Sequence, residues 1–203
     1  MRPVLAAHDV VLPDEQALVL FGELESAIEA GPYRTYRDVL RQVLIGVGDH
    51  LQFDVVAAEA DQFAGSVVDW PAFPDSADAL RRLGTRFGLG VITNCDDDLF
   101  AASSRRLGDP FRWVITAQQV GRYKPAEDNF ELALARIGVA RDKVLHVAQS
   151  LYHDHVTARQ LGIATAWVNR RGDRSGGGAT PPAAVVPDLE VPDMATLADL
   201  AGV

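Results

Sequence analysis

The spacing of apolar residues predicts helices in the first third of the chain. From Pro13 to Ala30 the apolar positions recur at steps of three and four residues, as on one face of an amphipathic helix. Gly31-Pro32 ends this pattern, and the proline can open the next helix. A second stripe of the same period lies between Tyr36 and Val47, and a weaker one runs from Ala57 to Val68. No strand-like run separates the three stripes, so the pattern predicts a small helical subdomain.

The remainder of the chain alternates short apolar runs with helical patterns. Four runs have the length and the apolar content of buried strands: Leu89–Thr93, Trp113–Thr116, Val144–Ala148 and Ala164–Val168. This alternation predicts a parallel sheet covered by helices on both faces. The segment from Trp70 to Asp75 contains two prolines and marks a boundary. We therefore predict an α/β protein with a helical cap at residues 1–70 and a Rossmann-like core at residues 71–203.

Two segments outside these elements also carry expectations. Met1–Asp9 has one positive charge and no long apolar stretch, so it is a poor signal peptide. It is typical of the end of a helix that runs into a turn, which suggests that an upstream segment is missing. Residues 170–182 are rich in glycine and proline, which predicts a flexible surface loop.

Composition narrows the classes of partner. A net charge of −9 argues against nucleic acid, because phosphate binding requires a basic surface, and it gives no support for an anionic membrane. No apolar run approaches the roughly 20 residues that span a bilayer. The single cysteine, Cys95, cannot form an internal disulfide, so we expect a cytoplasmic protein. A homodimer is left open as its assembly.

Polar residues follow three of the predicted strands. Thr93 and Asn94 offer a hydroxyl and an amide to an anion, although a plain strand-to-helix turn explains them equally well. Lys124, before Pro125, follows the next strand, where its charge could neutralise a carboxylate or a developing anion. The alternative interpretation of Lys124 is a solvated surface lysine. Asp154 lies beyond the third strand and could orient water or ligate magnesium. Ligands gather at the carboxyl ends of parallel strands, so we expect these groups to converge.

Other polar residues near these strands have structural interpretations. Asp96, Asp97 and Asp98 are typical of a helix cap and first turn, and Asp75 or Ser76 can cap the helix after the boundary. The remaining candidates are histidines. His146 lies within an apolar strand, which favours a packed core histidine. The run His153-Asp154-His155 is a poor metal site, because adjacent side chains point apart.

The ordered set Thr93-Asn94, Tyr123-Lys124-Pro125 and Ser150 to Asp154 resembles the second, third and fourth motifs of the haloacid dehalogenase superfamily. The resemblance covers nearly the whole chain and is closest to the 2-haloacid dehalogenase type II branch with a helical cap. It implies that Thr93 and Asn94 hold the substrate and the attacking carboxylate. Lys124 would balance charge, Asp154 would order the site, and Ser150 would contact the substrate. It also implies a cap arginine over the substrate, for which Arg34 or Arg37 are candidates on one helical face with Arg41.

The resemblance also implies a reaction. In this family an aspartate attacks carbon or phosphorus, and water cleaves the resulting ester. We expect a hydrolase of small anionic substrates that resembles (S)-2-haloacid dehalogenase. Gln149 stands where magnesium-dependent phosphatases of the family usually place an acidic residue, and it is a poorer ligand for a hard cation. No cofactor is therefore expected. The alternatives are a phosphatase of a small phosphorylated metabolite, using Mg²⁺ with Asp154 as a ligand, and a non-catalytic remnant that binds a small acid or a partner protein.

One motif of the family has no counterpart. The nucleophilic aspartate normally ends an apolar strand and is followed closely by Gly-Thr, but Asp9 in Ala7-His8-Asp9-Val10 has neither feature. In the family this strand lies between the strands that here end near Thr93 and Ala148. We therefore expect the first core strand to be missing, two strand edges to face each other unpaired, and the chain as given to be inactive. The simplest hypothesis is a truncated chain.

Overall fold

The computed structural model describes residues 1–172 and 178–203. Part of the predicted surface loop at residues 170–182 thus lies outside the described residues. The N-terminal third is helical, as its apolar spacing predicts. Its elements are α1 (Arg2–Ala7), α2 (Asp14–Glu29), α3 (Tyr36–Leu51) and α4 (Ala57–Gly65), which continues as a 3-10 helix (Ser66–Asp69).

Helix α3 is the centre of this helical region. One face of α3 is fully buried and carries apolar side chains at helical spacing: Val39, Leu40, Val43, Leu44 and Val47. Helices α2 and α4 both pack against α3. Thr35 caps α3, since its side-chain oxygen accepts a hydrogen bond from the backbone N–H of Asp38 at 3.2 Å. Arg34 precedes this cap, so the prediction that it lies on a helical face with Arg37 and Arg41 is wrong.

The rest of the chain alternates strands and helices. In order, its elements are α5 (Ser76–Leu83), β1 (Gly90–Thr93), α6 (Asp97–Arg106), β2 (Trp113–Thr116), α7 (Ala117–Val120), α8 (Glu127–Ile137), a 3-10 turn (Arg141–Lys143), β3 (Leu145–Ala148), a π-helix (Leu151–His155), α9 (Val156–Gln160), β4 (Ala164–Val168), β5 (Leu189–Val191) and α10 (Met194–Leu200). All four predicted strands are present. The pattern did not reveal β5, because its three residues lie between Pro187 and Pro192.

All strand pairs in the described residues are parallel, which confirms the predicted α/β class. The strands form a two-stranded sheet, β1-β2, and a three-stranded sheet, β3-β4-β5. In register, Thr93 lies opposite Thr116, Ala148 opposite Trp167, and Val168 opposite Val191. Within the described residues, 1–172 and 178–203, no strand pairs with both β1 and β3. The sheet is therefore divided at the position where the sequence predicts a missing strand.

Helices cover both faces of the divided sheet. Neighbouring residues of a strand point to opposite faces of the sheet, so the apolar core around the sheet consists of one cluster on each face. On one face Val147 packs in a cluster with Leu83 of α5 and Leu197 of α10. On the other face Ile92 packs in a cluster with Phe130 of α8. No helix of the described chain has the length and apolar character needed to cross a membrane.

Two aspartates that the sequence pattern predicts as caps of the helices that follow them instead bind elements that are distant in sequence. Asp75 precedes α5 but makes no side-chain cap there. Its carboxylate accepts hydrogen bonds from Arg170 at 2.9 Å and from the N–H of Met194 at 2.8 Å, which fixes the start of α10. Asp96 likewise does not cap α6. It accepts hydrogen bonds from the backbone N–H groups of Tyr36 at 2.9 Å and Arg37 at 3.1 Å, in the first turn of α3.

Candidate active site

The carboxyl end of β1 positions Thr93 and Asn94. Thr93 is the last residue of the strand. Asn94 follows and holds the segment that contains Lys124. Its Oδ1 accepts a hydrogen bond from the backbone N–H of Lys124 at 2.7 Å, and its Nδ2 donates to the carbonyl of Lys124 at 3.3 Å. Both residues thus lie at the sheet edge where parallel α/β folds carry their sites.

Lys124 and Asp154 form a buried ion pair across the divided sheet. Lys124 Nζ lies 2.8 Å from Asp154 Oδ1, and the two side chains are 11% and 7% exposed. Nζ also donates to the carbonyl of Ile92 in β1 at 3.1 Å. His146 Nε2, from β3, lies 2.9 Å from the same oxygen of Asp154. The ion pair therefore connects the ends of β1 and β3.

These contacts fix the charge of Asp154. Burial alone would raise the pKa of its carboxyl group, but the charge of Lys124 and the hydrogen bond from His146 outweigh burial and hold the pKa well below its usual range. Asp154 is therefore ionised at neutral pH. The interpretation of His146 as a core histidine is incomplete, since its ring packs against Phe130 at 5.1 Å but its nitrogen bonds to Asp154.

Ser150 caps the π-helix that carries Asp154. Its Oγ accepts a hydrogen bond from the backbone N–H of His153 at 3.0 Å and lies 3.2 Å from the Nδ1 of that ring. The rings of His153 and His155, on either side of Asp154, have different partners. His153 contacts Ser150, whereas His155 Nε2 lies 3.0 Å from the carbonyl of Ala148. Within the described chain, no three His, Cys, Asp or Glu residues form a group suited to a metal ion. π-helical turns recur at functional sites, and this one directs Asp154 to Lys124.

A carboxyl group from the helical region enters the same site. Glu29 is the last residue of α2, and its side chain is 5% exposed. Its Oε2 accepts a hydrogen bond from Asn94 Nδ2 at 3.1 Å and lies 3.9 Å from His153 Nε2. The other oxygen of Glu29 and this nitrogen of His153 are buried without a protein hydrogen-bond partner. Both groups are therefore directed to the interior of the site.

Burial sets the protonation of both groups. Burial, followed by the charge of Glu25, raises the pKa of Glu29 to about 9, although Lys124 and Asn94 oppose the shift. Burial and then the charge of Lys124 lower the pKa of His153 to about 4. At neutral pH Glu29 is therefore protonated and His153 is neutral. Sequence reasoning missed Glu29 because it stands among other glutamates of an amphipathic helix. The sequence feature that could have revealed Glu29 is its spacing, because Phe21, Glu25 and Glu29 follow each other at the four-residue steps of the apolar positions.

A cavity of about 760 Å³ lies between the end of α2 and the sheet edge. Its lining includes Glu29, Tyr33, Arg122, Lys124 and His153. The two arginines predicted to bind substrate do not line it. Arg37 donates to Asp98 at 2.5 Å, and Arg34 is exposed, with its carbonyl accepting a hydrogen bond from the Tyr123 hydroxyl at 2.9 Å. Lys124 lines this cavity, whereas Asn94 and Asp154 contact Lys124 from outside the lining. Thr93, Ser150, Arg34 and Arg37 are also not among the lining residues.

The assembled site combines a buried cation with neutral hydrogen-bonding groups. Lys124, paired with Asp154, supplies the positive charge, and Glu29 and His153 are uncharged at neutral pH. The Asn94 amide holds this set together, since its Nδ2 donates to Glu29 and to the carbonyl of Lys124. Such a set can bind a small anion and can stabilise negative charge that develops during a reaction. Cys95 is no rival nucleophile, because burial raises the pKa of its thiol to about 12.

The chain belongs to the haloacid dehalogenase-like hydrolases, since residues 35–168 match the model of that family. This match confirms the resemblance predicted from the motifs and defines a hydrolase family. The chain is similar to the 5-amino-6-(5-phospho-D-ribitylamino)uracil phosphatase YigB of Escherichia coli, with 28% identity over 87% of this chain and 76% of the relative. It is also similar to an (S)-2-haloacid dehalogenase of a Pseudomonas species, with 29% identity over 61% of this chain. That alignment spans 54% of the dehalogenase, about half its length.

Solved structures share the fold. An L-2-haloacid dehalogenase from Xanthobacter autotrophicus superimposes with a TM-score of 0.80 at 19% identity, covering 92% of this chain and 86% of the other. A magnesium-bound hydrolase of the same superfamily from Bacillus subtilis gives a TM-score of 0.79 at 18% identity and covers 100% of this chain and 89% of the other. At this identity the likeness establishes the architecture alone.

Proposed function

We propose that the chain carries the substrate site of a hydrolase that works by carboxylate attack on an (S)-2-haloacid. The observation that supports this most strongly is the bonded set of Asn94, Lys124 and Asp154 at the ends of β1 and β3. Carboxylate attack requires a cation beside the nucleophile and donors beside the substrate. Lys124 is suited to the first role. Asn94, whose amide donates to Glu29 and to the carbonyl of Lys124, is a candidate for the second role by resemblance. Thr93, Ser150, Arg34 and Arg37 stay candidates for substrate contact by resemblance.

The proposed reaction has two steps. An aspartate oxygen attacks carbon 2 of the haloacid, the carbon–halogen bond breaks, and the halide leaves with the electron pair. Water then attacks the carbonyl carbon of the aspartyl ester, and the bond from this carbon to the ester oxygen breaks. One water proton passes to that oxygen to give the 2-hydroxy acid, and the other goes to solvent as the aspartate carboxylate is restored. Lys124 would balance the charge of the nucleophile, and ionised Asp154 would hold the Lys124 ammonium in place.

The position of Lys124 indicates where the nucleophile must lie. Because Lys124 contacts Ile92 in β1 and Asp154 after β3, the attacking carboxylate belongs between the ends of these strands. No strand of the described chain occupies that position. We therefore propose that the chain as given binds the substrate without turning it over.

A phosphatase is the second candidate, because the similarity to the Escherichia coli phosphatase spans most of the chain. Its Mg²⁺ would take Asp154 as a ligand and would polarise the phosphoryl oxygen. The donor set present is a poor fit to this ion. Asp154 Oδ1 already accepts from Lys124 and His146, and Gln149 is neutral and exposed. The metal-free dehalogenase reaction is therefore the first candidate.

Substrate binding by the 203-residue chain tests the proposal. Calorimetric titration with (S)-2-chloropropionate and with phosphoglycolate, each with and without Mg²⁺, compares the two candidates. We expect metal-independent binding of the haloacid that weakens at least about tenfold in Lys124→Met. The matched control is Lys143→Met, since Lys143 is the other lysine of the sequence and is exposed. Lys124→Arg keeps the charge if the methionine variant fails to fold. Equal haloacid binding by Lys124→Met and the parent chain would refute the proposal.

A further inference from the structure

Two buried side chains present unpaired polar atoms to the cavity between the end of α2 and the sheet edge. The side chains of Glu29 and His153 are 5% and 10% exposed, and both residues line this cavity of about 760 Å³. In the part of the chain that the structure describes, Glu29 Oε1 and His153 Nε2 have no hydrogen-bond partner. A buried polar atom without a partner is costly, so two of them at one cavity indicate a ligand that supplies the partner.

Glu29 presents a hydrogen-bond donor to the cavity. Burial raises the pKa of its carboxyl group to about 9, so the group carries a proton at neutral pH. Its Oε2 accepts a hydrogen bond from Asn94 Nδ2 at 3.1 Å. Because the carbonyl oxygen of a carboxylic acid is the better acceptor, the proton lies on Oε1. The O–H of Glu29 is therefore the group without a partner.

His153 presents a second donor beside Glu29. The Ser150 hydroxyl accepts the backbone N–H of His153 at 3.0 Å, and its oxygen lies 3.2 Å from Nδ1 of the ring. The hydroxyl hydrogen is thus directed to Nδ1, which leaves the ring proton on Nε2. A protonated ring also carries a hydrogen on Nε2, so this donor does not depend on the charge of His153. Nε2 lies 3.9 Å from Glu29 Oε2, so the two donors are neighbours.

We propose that Glu29 and His153 bind the carboxylate of the substrate through two uncharged donors, Oε1–H and Nε2–H, which we call the donor pair. Two neighbouring donors match the two oxygens of a carboxylate. The cap arginine was expected in this role, but Arg34 and Arg37 do not line the cavity. Arg122 lines it, yet its side chain is 64% exposed and already has a carboxylate partner. The inference rests on the proposed function, because that function makes a small carboxylic acid the ligand.

The charge of the site favours a carboxylate over a phosphate. Lys124 lines the same cavity but is already paired with Asp154 at 2.8 Å, so this pair has no net charge. The donor pair adds none. Two hydrogen bonds and the nearby ammonium group are suited to one negative charge. A phosphate dianion would bring a second negative charge into the same site, and burying an uncompensated charge is costly. The donor pair therefore selects small monoanions.

Binding of propionate to the 203-residue chain tests the donor pair without a halogen. Calorimetric titration at pH 7 compares propionate with (S)-2-chloropropionate, propionamide and inorganic phosphate. We expect both carboxylates to bind, and propionamide and phosphate to bind at least about tenfold more weakly. Glu29→Met should weaken propionate binding at least about tenfold, whereas Glu29→Gln should stay within about threefold, because the amide N–H replaces the acid O–H. Glu23→Met, at an exposed glutamate of the same helix, is the matched control and should leave binding unchanged.

The pH dependence of binding separates a donor from a side chain that only fills space. With a pKa of about 9, Glu29 loses its proton by pH 10, and propionate binding by the parent chain should fall about tenfold between pH 7 and pH 10. Glu29→Gln lacks this proton and should lack this fall. The other titratable groups that face Glu29 are the same in both chains: Glu25 of α2, Tyr36 of α3, Tyr123, Lys124 and His153. The difference between the two profiles therefore reports Glu29 alone, and circular dichroism at each pH checks the fold.

His153→Phe tests the second donor, because it keeps a ring of similar shape and removes Nε2–H. It should weaken propionate binding at least about tenfold. The proposal is overturned if propionamide or phosphate binds as tightly as propionate, or if Glu29→Met and His153→Phe both bind propionate as the parent does. The same holds if the parent and Glu29→Gln have equal pH profiles, which decides the matter where the other variants do not fold.

The two proposals fail in different ways. Haloacid binding that weakens in Lys124→Met but not in Glu29→Met or His153→Phe would overturn the donor pair and leave the proposed function standing. Carboxylate binding that depends on Glu29 and His153 but is unchanged in Lys124→Met would support the donor pair and refute the proposed function.

Discussion

Lys124 and Asp154 depend on each other because both are removed from water. The ion pair is more than 85% buried on each side and has additional partners in Ile92 and His146. A pair of this kind need not stabilise a protein relative to an apolar replacement, but the loss of one member leaves an uncompensated charge. The pair is therefore a sensitive point of the fold as well as of the site.

Replacing Lys124 by methionine should lower the free energy of unfolding by about 3–5 kcal/mol, because the buried carboxylate of Asp154 then loses its cationic partner and keeps only the hydrogen bond from His146. Urea denaturation at neutral pH measures this. The double variant Lys124→Met/Asp154→Asn should recover part of the loss. Lys143→Met, at an exposed site, should change stability by less than about 0.5 kcal/mol. A Lys124→Met chain as stable as the parent would show that the ion pair is not buried in solution.

Glu29 makes the stability of the chain depend on pH in a defined window. Its folded pKa of about 9 is raised above the value of about 4.5 in the unfolded chain, so the folded state retains the proton and stability falls as pH rises between them. Glu25, with a pKa of about 7, acts in the same direction up to that pH. His153, with a pKa lowered to about 4, acts oppositely and only below about 6.5. Above pH 7 the effect of Glu29 therefore remains.

Between pH 7 and pH 9 we expect stability to fall by up to about 1.4 kcal/mol per pH unit, and Glu29→Gln should remove most of this slope. Chemical denaturation at three pH values in this range measures the slope. Glu23→Gln is the control, because Glu23 is an exposed glutamate of the same helix. A slope that persists unchanged in Glu29→Gln would mean that Glu29 is not the buried acid.

Sequence reasoning identified part of the site and missed the rest for a physical reason. Asn94, Lys124 and Asp154 follow predicted strands, and parallel strands bring their carboxyl ends to one edge. Glu29 and His153 reach the site through tertiary packing of α2 and of a π-helical turn, neither of which is visible in strand periodicity. Their neighbours in space are distant in sequence. The catalytic roles of all these residues stay predictions.

At the level of elements, Asp96 links the two parts of the chain. It follows β1 in sequence, yet its carboxylate accepts hydrogen bonds from the first two N–H groups of α3. These are unsatisfied donors of a helix start, where negative charge is also favoured by the helix dipole. Thr35 binds a third donor, that of Asp38. The start of α3 is thus held from the loop that also carries Asn94.

Asp96→Ala should lower the free energy of unfolding by about 1–2 kcal/mol, as expected for the loss of a buried cap. It should also speed amide exchange at Tyr36 and Arg37, which exchange mass spectrometry can follow. Asp98→Ala removes the nearby exposed partner of Arg37 and should cost less than about 1 kcal/mol. If both variants behave alike, Asp96 does not cap α3.

The order of elements was largely predictable from periodicity. The spacing of apolar residues gave α2 and the four longer strands within one or two residues. It gave α3 only in part, since the predicted stripe ends at Val47 whereas the helix ends at Leu51, and the helix begins at Tyr36 and not at Pro32. It missed β5, whose three residues lie between prolines, and it assigned Asp75 and Asp96 to the wrong helices. Capping by a residue from another element depends on tertiary packing, which a local pattern does not contain.

At the level of the whole molecule, the divided sheet is the main departure from a continuous parallel layer. A cleft of about 870 Å³ lies between the two sheets, and residues of β1, β3 and helices α5, α8 and α10 line it. A strand bound in this cleft would pair both open edges and would bury apolar side chains at its border, such as Trp70 and Phe73, which are 43% and 59% exposed. It should therefore stabilise the fold in proportion to its occupancy.

A synthetic peptide of two lysines, five valine, leucine or isoleucine residues and a final aspartate can supply the carboxylate that the proposed reaction requires. This aspartate-ended peptide, at about 100 times its dissociation constant, should raise the free energy of unfolding by about 2.7 kcal/mol if it binds the folded state alone. Thermal and urea unfolding over a peptide concentration series measure this. A control peptide with the same side chains and alternate residues N-methylated lacks the backbone donors to one strand edge and should give a markedly smaller shift at equal concentration. A decrease in stability on addition of the peptide would indicate binding to the unfolded chain.

Oxygen labelling of the bound peptide decides whether the site performs carboxylate attack. The chain, saturated with the aspartate-ended peptide, is given less than one equivalent of (S)-2-chloropropionate in water labelled with heavy oxygen, and the peptide is then weighed by mass spectrometry. We predict chloride release and one heavy oxygen in the peptide carboxylate, because water attacks the aspartyl ester. A peptide that is bound, as shown by exchange protection, while no chloride appears or while all label enters the hydroxy acid would contradict carboxylate attack at this site.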